Sequence, residues 1–395
     1  MAKNLVFCAD GTWNGPGEDE QGARTGNTTN VFKLFGNLEG IDSPDSIRFA
    51  DEQERQALDA AGQPVQLAKY LHGVGDSGNP LVKFLGGAFG AGLIARVVRG
   101  YTFLSRNYTA GDRIYLAGFS RGSYTARALA GLVAGQGLMD AGKLDLSDKE
   151  AAYRWGSAVW YRHQRSLQCA FMGRLESFVA DLPGFFSLPP SADQMLEAPL
   201  RAVGVWDTVG AMGIPAFASD HERLDLFRFA DTRLSPKVAC GLHAVSVDEA
   251  RQDFAPTLWE PDPRIVQALF PGAHADVGGG YPVANGESGL SDGAFAWMCA
   301  RLAEQGLRFA AAPVTVAVPA ATGPAHRPWA QFPWTHLPTG PRMFPAGLRL
   351  HRSVLDRMAG GPVAPDPGAA LEVYAPGNLG AYVAQGKAKE GVVMA

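Results

Sequence analysis

The chain has 395 residues, of which 46% are hydrophobic, and its formal net charge is −4. This length holds one large α/β domain with insertions or two smaller domains, and the apolar fraction is sufficient for a sizeable core. A charge this small, with no Lys/Arg-rich run, excludes the strongly basic surface on which most nucleic-acid binding depends. We therefore predict that nucleic acid is not a partner.

The cysteines are widely separated and form no C-x-x-C pair; they are Cys8, Cys169, Cys240 and Cys299. This spacing is typical of a protein in a reducing compartment and argues against a zinc ribbon or a disulfide framework. The first residues enter a strand-like run at Asn4 without the apolar segment and cleavage site of a secretory signal. We expect a protein that is cytoplasmic as made, with any export by a route that reads no cleavable signal.

Strand-like and helix-like segments alternate along the chain, which is the pattern of an α/β fold with a mostly parallel sheet. Apolar runs bounded by turn residues predict strands at 4–9, 67–72, 113–117, 201–206, 242–247 and 265–270. Helical spacing of apolar residues predicts helices at 31–38, 92–108, 124–134 and 290–302. The longest apolar stretch, 85–95, is too short to span a bilayer, so we expect it in a buried helix.

Two segments depart from this alternation. Residues 145–198 are rich in aromatic side chains and are predicted either to cap the sheet or to complete the core as helices; both interpretations stay open. Residues 310–395 are rich in proline and glycine and have few periodic segments. We expect them to wrap the surface as the C-terminal part of a single domain that spans residues 1–395.

Residues 118–122, Gly-Phe-Ser-Arg-Gly, have the G-x-S-x-G pattern between a predicted strand and a predicted helix. In such a strand-to-helix elbow the serine takes a strained backbone geometry, and the glycines remove side chains that would clash. The turn exposes the Ser120 hydroxyl at the end of a parallel sheet and directs the Arg121 backbone N–H to where an oxyanion would form. We predict Ser120 as a nucleophile and Arg121 as an oxyanion donor; the alternative is an ordinary Gly-Ser turn.

A serine hydroxyl needs a base to take its proton, and the base needs a carboxylate to orient it. Asp207 and His274 each follow a predicted strand, and with Ser120 they occur in the chain order Ser, Asp, His that α/β hydrolases use. Because the carboxyl ends of parallel strands meet at one sheet edge, we expect the three side chains there. We predict Asp207 as the acid and His274 as the base.

Other residues compete for these two roles. His243 lies at the start or middle of its predicted strand, which suits a buried core histidine, and His72 precedes the elbow, where it could line the site. Asp276, two residues after His274, is the main alternative acid, either orienting the base or binding another group. Asp248 is a poorer choice, and any single aspartate is commonly a turn or helix cap.

The second oxyanion donor in such sites comes from a loop after an earlier strand. Gly11 and Thr12 follow Asp10 in the loop after the first predicted strand, and they are the candidates. A simple Asp-Gly turn is the alternative. Asp10 is then predicted to line the site.

Neither a cofactor nor a metal is predicted. Residues 278–280 are three consecutive glycines, but no G-K-[ST] follows, so a tight turn is favoured over a phosphate-binding loop. No cluster of His, Cys and carboxylate residues has metal-ligand spacing. Convergence of Asp10, Asp207 and Asp276 on a cation is the less favoured alternative.

Several longer motifs resemble one known family. In chain order they are FCADGTWN, GDRIYLAGFSRGSYTARALAGLV, GVWDTVGA, HAVSVDEARQDFAPTLW, LFPGAHADVGGGY, LHRSVLDRM and YAPGNLG. Together they resemble the α/β-hydrolase family that contains the family-1 type VI secretion lipase effectors, long catalogued as a domain of unknown function. The likeness spans nearly the whole chain. One departure is Ser123, where many members have alanine.

This resemblance implies an α/β-hydrolase fold and a serine hydrolase of carboxylic esters, with phospholipid or other lipid acyl esters as substrates. It supports Ser120, Asp207 and His274 in their predicted roles, and it implies peripheral membrane contact and a secretion-apparatus or immunity-protein partner. Characterised members often carry large membrane-associating insertions with no counterpart here beyond residues 145–198, so phospholipid is a weaker expectation than ester hydrolysis. The alternatives are a housekeeping small-ester hydrolase or thioesterase, and a catalytically silent binding protein.

Overall fold

Strands and helices alternate along the chain, so most strand-to-strand connections are long enough for parallel pairing. The structure, a computed structural model, describes residues 2–11, 28–43, 52–73, 89–166, 188–209, 232–332, 334–345, 348–384 and 392–393. The strands are β1 (Asn4–Ala9), β2 (Ile41–Asp42), β3 (Glu52–Leu58), β4 (Pro64–Leu71), β5 (Arg113–Phe119), β6 (Leu138–Met139), β7 (Met195–Leu196), β8 (Leu200–Trp206), β9 (Gly241–Ser246), β10 (Ile265–Phe270), β11 (Arg349–His351), β12 (Pro362–Val363), β13 (Glu372–Val373) and β14 (Val392–Val393). The helices are α1 (Asn30–Asn37), α2 (Phe89–Asn107), α3 (Arg121–Gln136), α4 (Lys149–Ser166), α5 (His274–Gly278), α6 (Gly289–Glu304), α7 (Arg352–Ala359) and α8 (Gly377–Ala384).

Ten of these strands form one sheet, in the order β14-β11-β10-β9-β8-β5-β1-β4-β3-β2. The strands from β14 to β4 pair in parallel, whereas β3 is antiparallel to β4 and β2 is antiparallel to β3. The other described strands form two small antiparallel pairs, β6 with β7 and β12 with β13. The carboxyl ends of the parallel strands therefore lie along one edge of the sheet.

Helices cover both faces of the sheet, because its central strands are apolar on both faces. Successive side chains of β1 point to opposite faces. Leu5 and Phe7 lie in a core with α2, α3 and α4, whereas Val6 and Cys8 lie in a core with α1 and α6. A third, smaller core joins β9 and β10 to β11, α7 and α8.

Residues 89–95 of the apolar stretch 85–95 lie in α2, and Leu93 and Ile94 are buried in the first of these cores, as expected for a buried helix. Residues 85–88 lie outside the described part of the chain. Among the helices that the structure describes, none has the length and apolar composition needed to cross a membrane.

All six predicted strands and all four predicted helices are present, with ends within a few residues of the expected positions. Strand β3 is not predicted, because its sequence, Glu-Gln-Glu-Arg-Gln-Ala-Leu, is polar and lacks an alternating apolar pattern. It lies near the edge of the sheet, where Lys69 of β4 forms ion pairs with Glu52 and Glu54. Charged cross-strand pairs therefore replace apolar contacts in this part of the sheet.

The aromatic segment 145–198 contains α4, which packs against α2 and α3. Val159 and Trp160 of this helix are buried in the same core as α2 and α3. Helix α4 is therefore consistent with the interpretation that helices of this segment complete the core. Residues 167–187 lie outside the described part of the chain, so the cap interpretation of that stretch stays a prediction.

Two strands of the C-terminal segment 310–395 belong to the main sheet. Strand β11 pairs in parallel with β10, and β14 pairs with β11, so the segment extends the sheet. The sequence does not indicate these strands, because three and two residues are too few for a periodic pattern. The expectation of a surface wrap did not include these strands, and for the rest of the segment it stays a prediction.

Candidate active site

Ser120 lies at the junction of β5 and α3. Its backbone has φ 56° and ψ −123°, a conformation that a non-glycine residue rarely adopts. A Cβ atom on Gly118 would lie 2.4 Å from the Gly122 carbonyl oxygen, and one on Gly122 would lie 2.0 Å from the Ala9 carbonyl oxygen. Both separations are far below van der Waals contact, so the elbow requires glycine at both positions. The G-x-S-x-G spacing thus follows from the packing of the backbone.

Hydrogen bonds tie the elbow to the end of β8. The Ser120 N–H donates to the Trp206 carbonyl oxygen (3.1 Å). The Ser123 hydroxyl lies within hydrogen-bond distance of the same oxygen (2.9 Å) and of the Gly118 carbonyl oxygen (2.8 Å). Ser123 therefore helps to fix the elbow. Arg121 is the first residue of α3, so its N–H lies at the positive end of the helix dipole.

Asp207 follows β8 directly and is fully buried. Its backbone has φ 36°, which is also uncommon for a residue with a side chain. The carboxylate oxygen Oδ2 lies 2.6 Å from His274 Nδ1, and Oδ1 accepts a hydrogen bond from the Ser246 N–H (2.9 Å). The structure thus brings the predicted acid and the predicted base into direct contact.

Arg342 forms a two-bonded ion pair with the same carboxylate. Its Nη1 donates to Asp207 Oδ1 (2.7 Å) and its Nη2 donates to Asp207 Oδ2 (2.9 Å). Burial raises the pKa of Asp207, but the Arg342 charge and the hydrogen bonds from His274 and Arg342 outweigh it and hold that pKa well below its usual range. Asp207 is therefore ionised throughout the physiological range.

His274 is the first residue of α5, directly after the turn that follows β10. Its ring packs against Phe119, at 4.6 Å between centroids, and edge-to-face against Phe254, at 5.1 Å. Burial lowers the pKa of His274, and the hydrogen bond and charge of Asp207 oppose that effect. The imidazole is thus neutral near pH 7, and its contact with the carboxylate makes Nδ1 the donor and leaves Nε2 as an acceptor.

A second ion pair supports the backbone at the base. The His274 N–H donates to Glu249 Oε2 (3.2 Å), and Glu249 pairs with Arg251 (2.7 Å). No hydrogen bond joins the Ser120 hydroxyl to His274 in the described part of the chain. Phe119, which precedes Ser120, packs on the His274 ring with the two planes tilted by 33°.

The Asp10 side chain, directly after β1, accepts hydrogen bonds from three groups. Asp10 Oδ1 accepts a hydrogen bond from the Gly11 N–H (2.7 Å), and Oδ2 accepts from Tyr70 and Thr29 hydroxyls, both at 2.6 Å. Burial raises the pKa of Asp10 to about 6, although these three donors oppose the effect. In this conformation the Gly11 N–H is directed at Asp10. Thr12, the other candidate oxyanion donor, lies outside the described residues.

Asp276, the alternative acid, hydrogen-bonds with other groups. Its Oδ1 contacts His326 Nδ1 (2.6 Å), and its Oδ2 accepts from the Ala273 N–H (2.8 Å) and the His326 N–H (3.0 Å). Asp276 thus supports the turn that leads into His274. The role of His326, on the C-terminal segment, is not indicated by the sequence.

The rival histidines occupy other environments. His243 is fully buried, its Nε2 accepts a hydrogen bond from the Thr208 N–H (3.1 Å), and its Nδ1 contacts Gln267 (3.3 Å). This confirms the interpretation of His243 as a hydrogen-bonded core histidine. His72 follows β4 and contacts the Tyr70 ring edge-to-face at 5.2 Å between centroids, which places it beside the Asp10 loop.

Two alternatives from the sequence remain: Asp248 as the acid, and a cation site formed by Asp10, Asp207 and Asp276. Asp248 accepts hydrogen bonds from the Gly272 N–H (2.7 Å) and the Tyr374 hydroxyl (2.8 Å), so it fixes a turn. Asp10, Asp207 and Asp276 each contact a separate set of donors. Among the residues that the structure describes, no group of three or more His, Cys, Asp and Glu side chains is arranged to hold a metal ion.

A mostly parallel sheet, flanking helices and a serine elbow at its carboxyl edge define an α/β-hydrolase fold. The family model described as "T6SS, Phospholipase effector Tle1-like, catalytic domain" matches residues 3–301. Since the match covers most of the chain, the protein belongs to this family.

Individual relatives are more distant. The uncharacterized protein YEL023C of Saccharomyces cerevisiae is 27% identical over 264 residues, which are 67% of this chain and 33% of that protein. A crystal structure of an uncharacterized protein from Pseudomonas aeruginosa is similar with a TM-score of 0.44 and 22% identity, over 78% of this chain and 46% of that one. The structure of the Tle1 effector bound to the VgrG spike of the type 6 secretion system has a TM-score of 0.36 and 18% identity, over 72% of this chain and 52% of that one. The chain thus spans between about a third and about half of the length of these relatives.

Proposed function

We propose that the protein is a serine hydrolase that cleaves lipid acyl esters, with phospholipids as the substrate class, through Ser120, His274 and Asp207. The observation that carries this proposal is the 2.6 Å contact between Asp207 Oδ2 and His274 Nδ1, at the same sheet edge as the strained Ser120 elbow. A serine at a helix N-terminus and a buried Asp–His pair are the parts of a catalytic triad. Membership in a phospholipase effector family favours lipid esters as the substrates.

Acylation is the first half of the proposed reaction. Ser120 Oγ attacks the ester carbonyl carbon while His274 Nε2 takes the hydroxyl proton, and the carbonyl π electrons move to oxygen. Collapse of this tetrahedral oxyanion re-forms the C=O bond and breaks the bond to the leaving alkoxide. His274 gives its proton to that oxygen, so an alcohol leaves and the acyl group stays on Ser120.

Deacylation repeats the sequence with water. His274 takes a proton from a water molecule as the water oxygen attacks the acyl carbon. The second oxyanion collapses, the Ser120 Oγ leaves, and His274 returns the proton to it. The products are a carboxylic acid and the free enzyme, so no external reactant other than water is consumed.

Asp207 and the oxyanion donors act around these steps. The ionised Asp207 holds the imidazole with Nε2 toward the serine and stabilises the imidazolium that forms in each half reaction. The Arg121 N–H is the first proposed oxyanion donor, since it begins the elbow helix. The second donor belongs to the loop after β1. Gly11 is the donor only if its N–H leaves the Asp10 carboxylate and donates to the oxyanion instead. Thr12 is the other candidate.

The family also suggests where the protein acts. The solved structure of a related effector is described as bound to the VgrG spike, and we propose a secretion-apparatus partner of the same kind for this chain. The protein is then cytoplasmic as made and is exported without a cleavable signal. Peripheral contact with a membrane surface and neutralisation by an immunity protein complete the proposal.

The test compares two serines that lie three positions apart. Ser120→Ala is expected to reduce turnover of a nitrophenyl butyrate ester by at least about 10⁴-fold, since the nucleophile is lost. Ser123→Ala is the matched control, because it removes a structural hydroxyl from the same turn and is expected to retain activity. Equal activity of the Ser120 variant and wild type would exclude the proposed nucleophile.

Two further measurements separate the alternative functions. A chain-length series from acetate to palmitate distinguishes a lipase-like site, which is expected to prefer long acyl groups, from a small-ester hydrolase or thioesterase. Labelling by a fluorophosphonate probe distinguishes an enzyme from a catalytically silent binding protein. We expect labelling of wild type and no labelling of Ser120→Ala.

A further inference from the structure

Arg342 lies outside residues 3–301, which the family model of the catalytic domain covers, yet it reaches the proposed catalytic acid. Its guanidinium is buried and makes both hydrogen bonds of a fork with the Asp207 carboxylate. The contact joins positions 135 residues apart in the chain. The C-terminal segment therefore contributes to the site itself, in addition to extending the sheet.

We propose that Arg342 is a positioning residue of the hydrolase, which fixes the orientation and the ionised state of the Asp207 carboxylate that holds His274. This inference rests on the proposed function of the Asp207–His274 pair. Arg342 touches neither the serine nor the substrate in this scheme. It acts through Asp207 alone.

The need for a cation at this position follows from the burial of Asp207. A fully buried carboxylate is costly unless it is paired and hydrogen-bonded. Apart from Arg342, the donors to this carboxylate in the described part of the chain are the backbone N–H of Ser246 and the neutral imidazole of His274. Arg342 supplies the compensating charge. It also occupies both carboxylate oxygens, so the carboxylate cannot rotate away from the imidazole without breaking the fork.

The arginine is itself held from three sides. Nη1 donates to the Ser246 carbonyl oxygen (2.9 Å), and Nη2 donates to the Phe254 carbonyl oxygen (2.5 Å). The Arg342 N–H donates to Asn378 Oδ1 (3.0 Å). Arg342 thus connects the end of β9 and the turn at Phe254, whose ring packs on His274, with the acid. This geometry needs the planar five-donor fork of arginine, which lysine does not provide.

Removal of the Arg342 charge is expected to change the titration of His274. The charged groups that face this imidazole are Asp207, Glu249 and Arg251, with Arg342 behind Asp207. In wild type, protonation of His274 adds a positive charge next to an Asp207–Arg342 pair that is already neutral overall. Without the arginine charge, the Asp207–His274 pair binds a proton more readily. Its apparent pKa is therefore expected to rise, by about one unit or more.

The experiment compares Arg342→Met and Arg342→Lys in the full chain, with Arg357→Met as control. Arg357 is another buried arginine of the C-terminal segment, but its Nη1 donates to the Ala321 and Gly323 carbonyl oxygens instead of to the site. For Arg342→Met we expect kcat on a nitrophenyl ester to fall about 30-fold or more with KM changed less than about twofold. The acid limb of kcat/KM is expected to move to higher pH, whereas Arg357→Met leaves both unchanged.

The Asp207→Asn variant, used as a second background for Arg342→Met, shows whether Arg342 acts through Asp207. In Asp207→Asn, adding Arg342→Met is expected to change kcat by less than about threefold, because the group that Arg342 positions is already neutral. This double variant also removes the unpaired buried carboxylate, so it folds if loss of the ion pair is what destabilises Arg342→Met. Arg342→Lys keeps the positive charge, and we expect it to lower kcat without moving the acid limb.

The outcomes separate this inference from the proposed function. The positioning role is overturned if Arg342→Met keeps the wild-type kcat while Ser120→Ala is inactive. It is also overturned if Arg342→Met lowers kcat equally with and without Asp207→Asn and does not shift the acid limb. If wild type itself does not hydrolyse esters, the proposed function fails. In that case the effect of Arg342→Met on the pKa of His274 is measured by NMR titration. The His274 resonances are assigned by their disappearance in His274→Gln. An upward shift of that pKa in Arg342→Met supports the inference, and an unchanged pKa overturns it.

Discussion

Gly122 lies directly against the carbonyl oxygen of Ala9: a Cβ atom on Gly122 would come within 2.0 Å of it. The end of the first strand and the first turn of the elbow helix therefore touch through bare backbone. This contact fixes the distance between the Asp10 loop and Ser120. It explains the second glycine of the G-x-S-x-G pattern by packing, independently of any catalytic role.

Gly122→Ala is expected to lower the free energy of unfolding by at least about 2 kcal/mol, since the added methyl group meets backbone that cannot move aside. Urea unfolding measures the change. Gly293→Ala is the matched control, because Gly293 lies inside α6 and, apart from its chain neighbours and the adjacent backbone of its own helix, no atom of the described residues lies within 4 Å of the position that its Cβ would take. It is expected to be neutral or to stabilise by up to about 1 kcal/mol. Equal stabilities of the two variants would contradict the packing account of the elbow.

The pH dependence of turnover is predicted from the environment of His274. Burial lowers the pKa of His274, with Asp207 opposing this effect. The base acts only when it is neutral, so kcat/KM is expected to fall as the pH drops through that lowered pKa, below the value of about 6.5 for a free histidine. A pH–rate profile on a nitrophenyl ester locates the acid limb. A limb at about pH 7 or above would be inconsistent with the buried geometry.

Asp10 is predicted to make stability depend on pH in the opposite sense to a salt-bridged carboxylate. Burial raises the pKa of Asp10 to about 6, against about 3.9 in an unfolded chain. Between these values the folded protein holds a proton that the unfolded chain releases. Raising the pH from about 4 to about 7 is therefore expected to cost about 2 kcal/mol of stability at this residue, most of it as the pH approaches about 6.

Asp10→Asn removes this titration. Urea unfolding of wild type and of the variant is compared at intervals from about pH 4 to about pH 7. The difference in unfolding free energy, wild type minus variant, is expected to fall across the window. Parallel pH dependence of the two proteins would show that Asp10 is not a buried, late-titrating carboxyl group.

The sequence predicts the parallel sheet and one pair of site residues because local signals mark both. Apolar runs between turn residues indicate the central strands, and the rule that chemistry follows strand ends selects Asp207 and His274 from several candidates. These two residues do lie within hydrogen-bond distance. The glycines at 118 and 122 are likewise readable from the chain, because the backbone contacts that require them belong to a recurring turn.

The contributions of Arg342 and His326 are not predictable in the same way. Each contacts an aspartate far away in the chain, from a proline-rich segment without helical or strand periodicity. Nothing next to Arg342 in the sequence marks it as different from any other arginine. Its role depends on the path of the C-terminal segment over the sheet, which is a property of tertiary packing. Strand β3 escapes prediction for a related reason, since charge pairs with β4 stabilise it.

The central claim is that Ser120 is the nucleophile of a lipid-ester hydrolase. The most direct test is the release of fatty acids and lysolipids from mixed phospholipid vesicles, measured by mass spectrometry for wild type, Ser120→Ala and Ser123→Ala. We predict release by wild type and by the Ser123 variant, and none above background by the Ser120 variant. Equal release by the Ser120 variant and wild type, or no release by wild type at any lipid composition, would contradict the account.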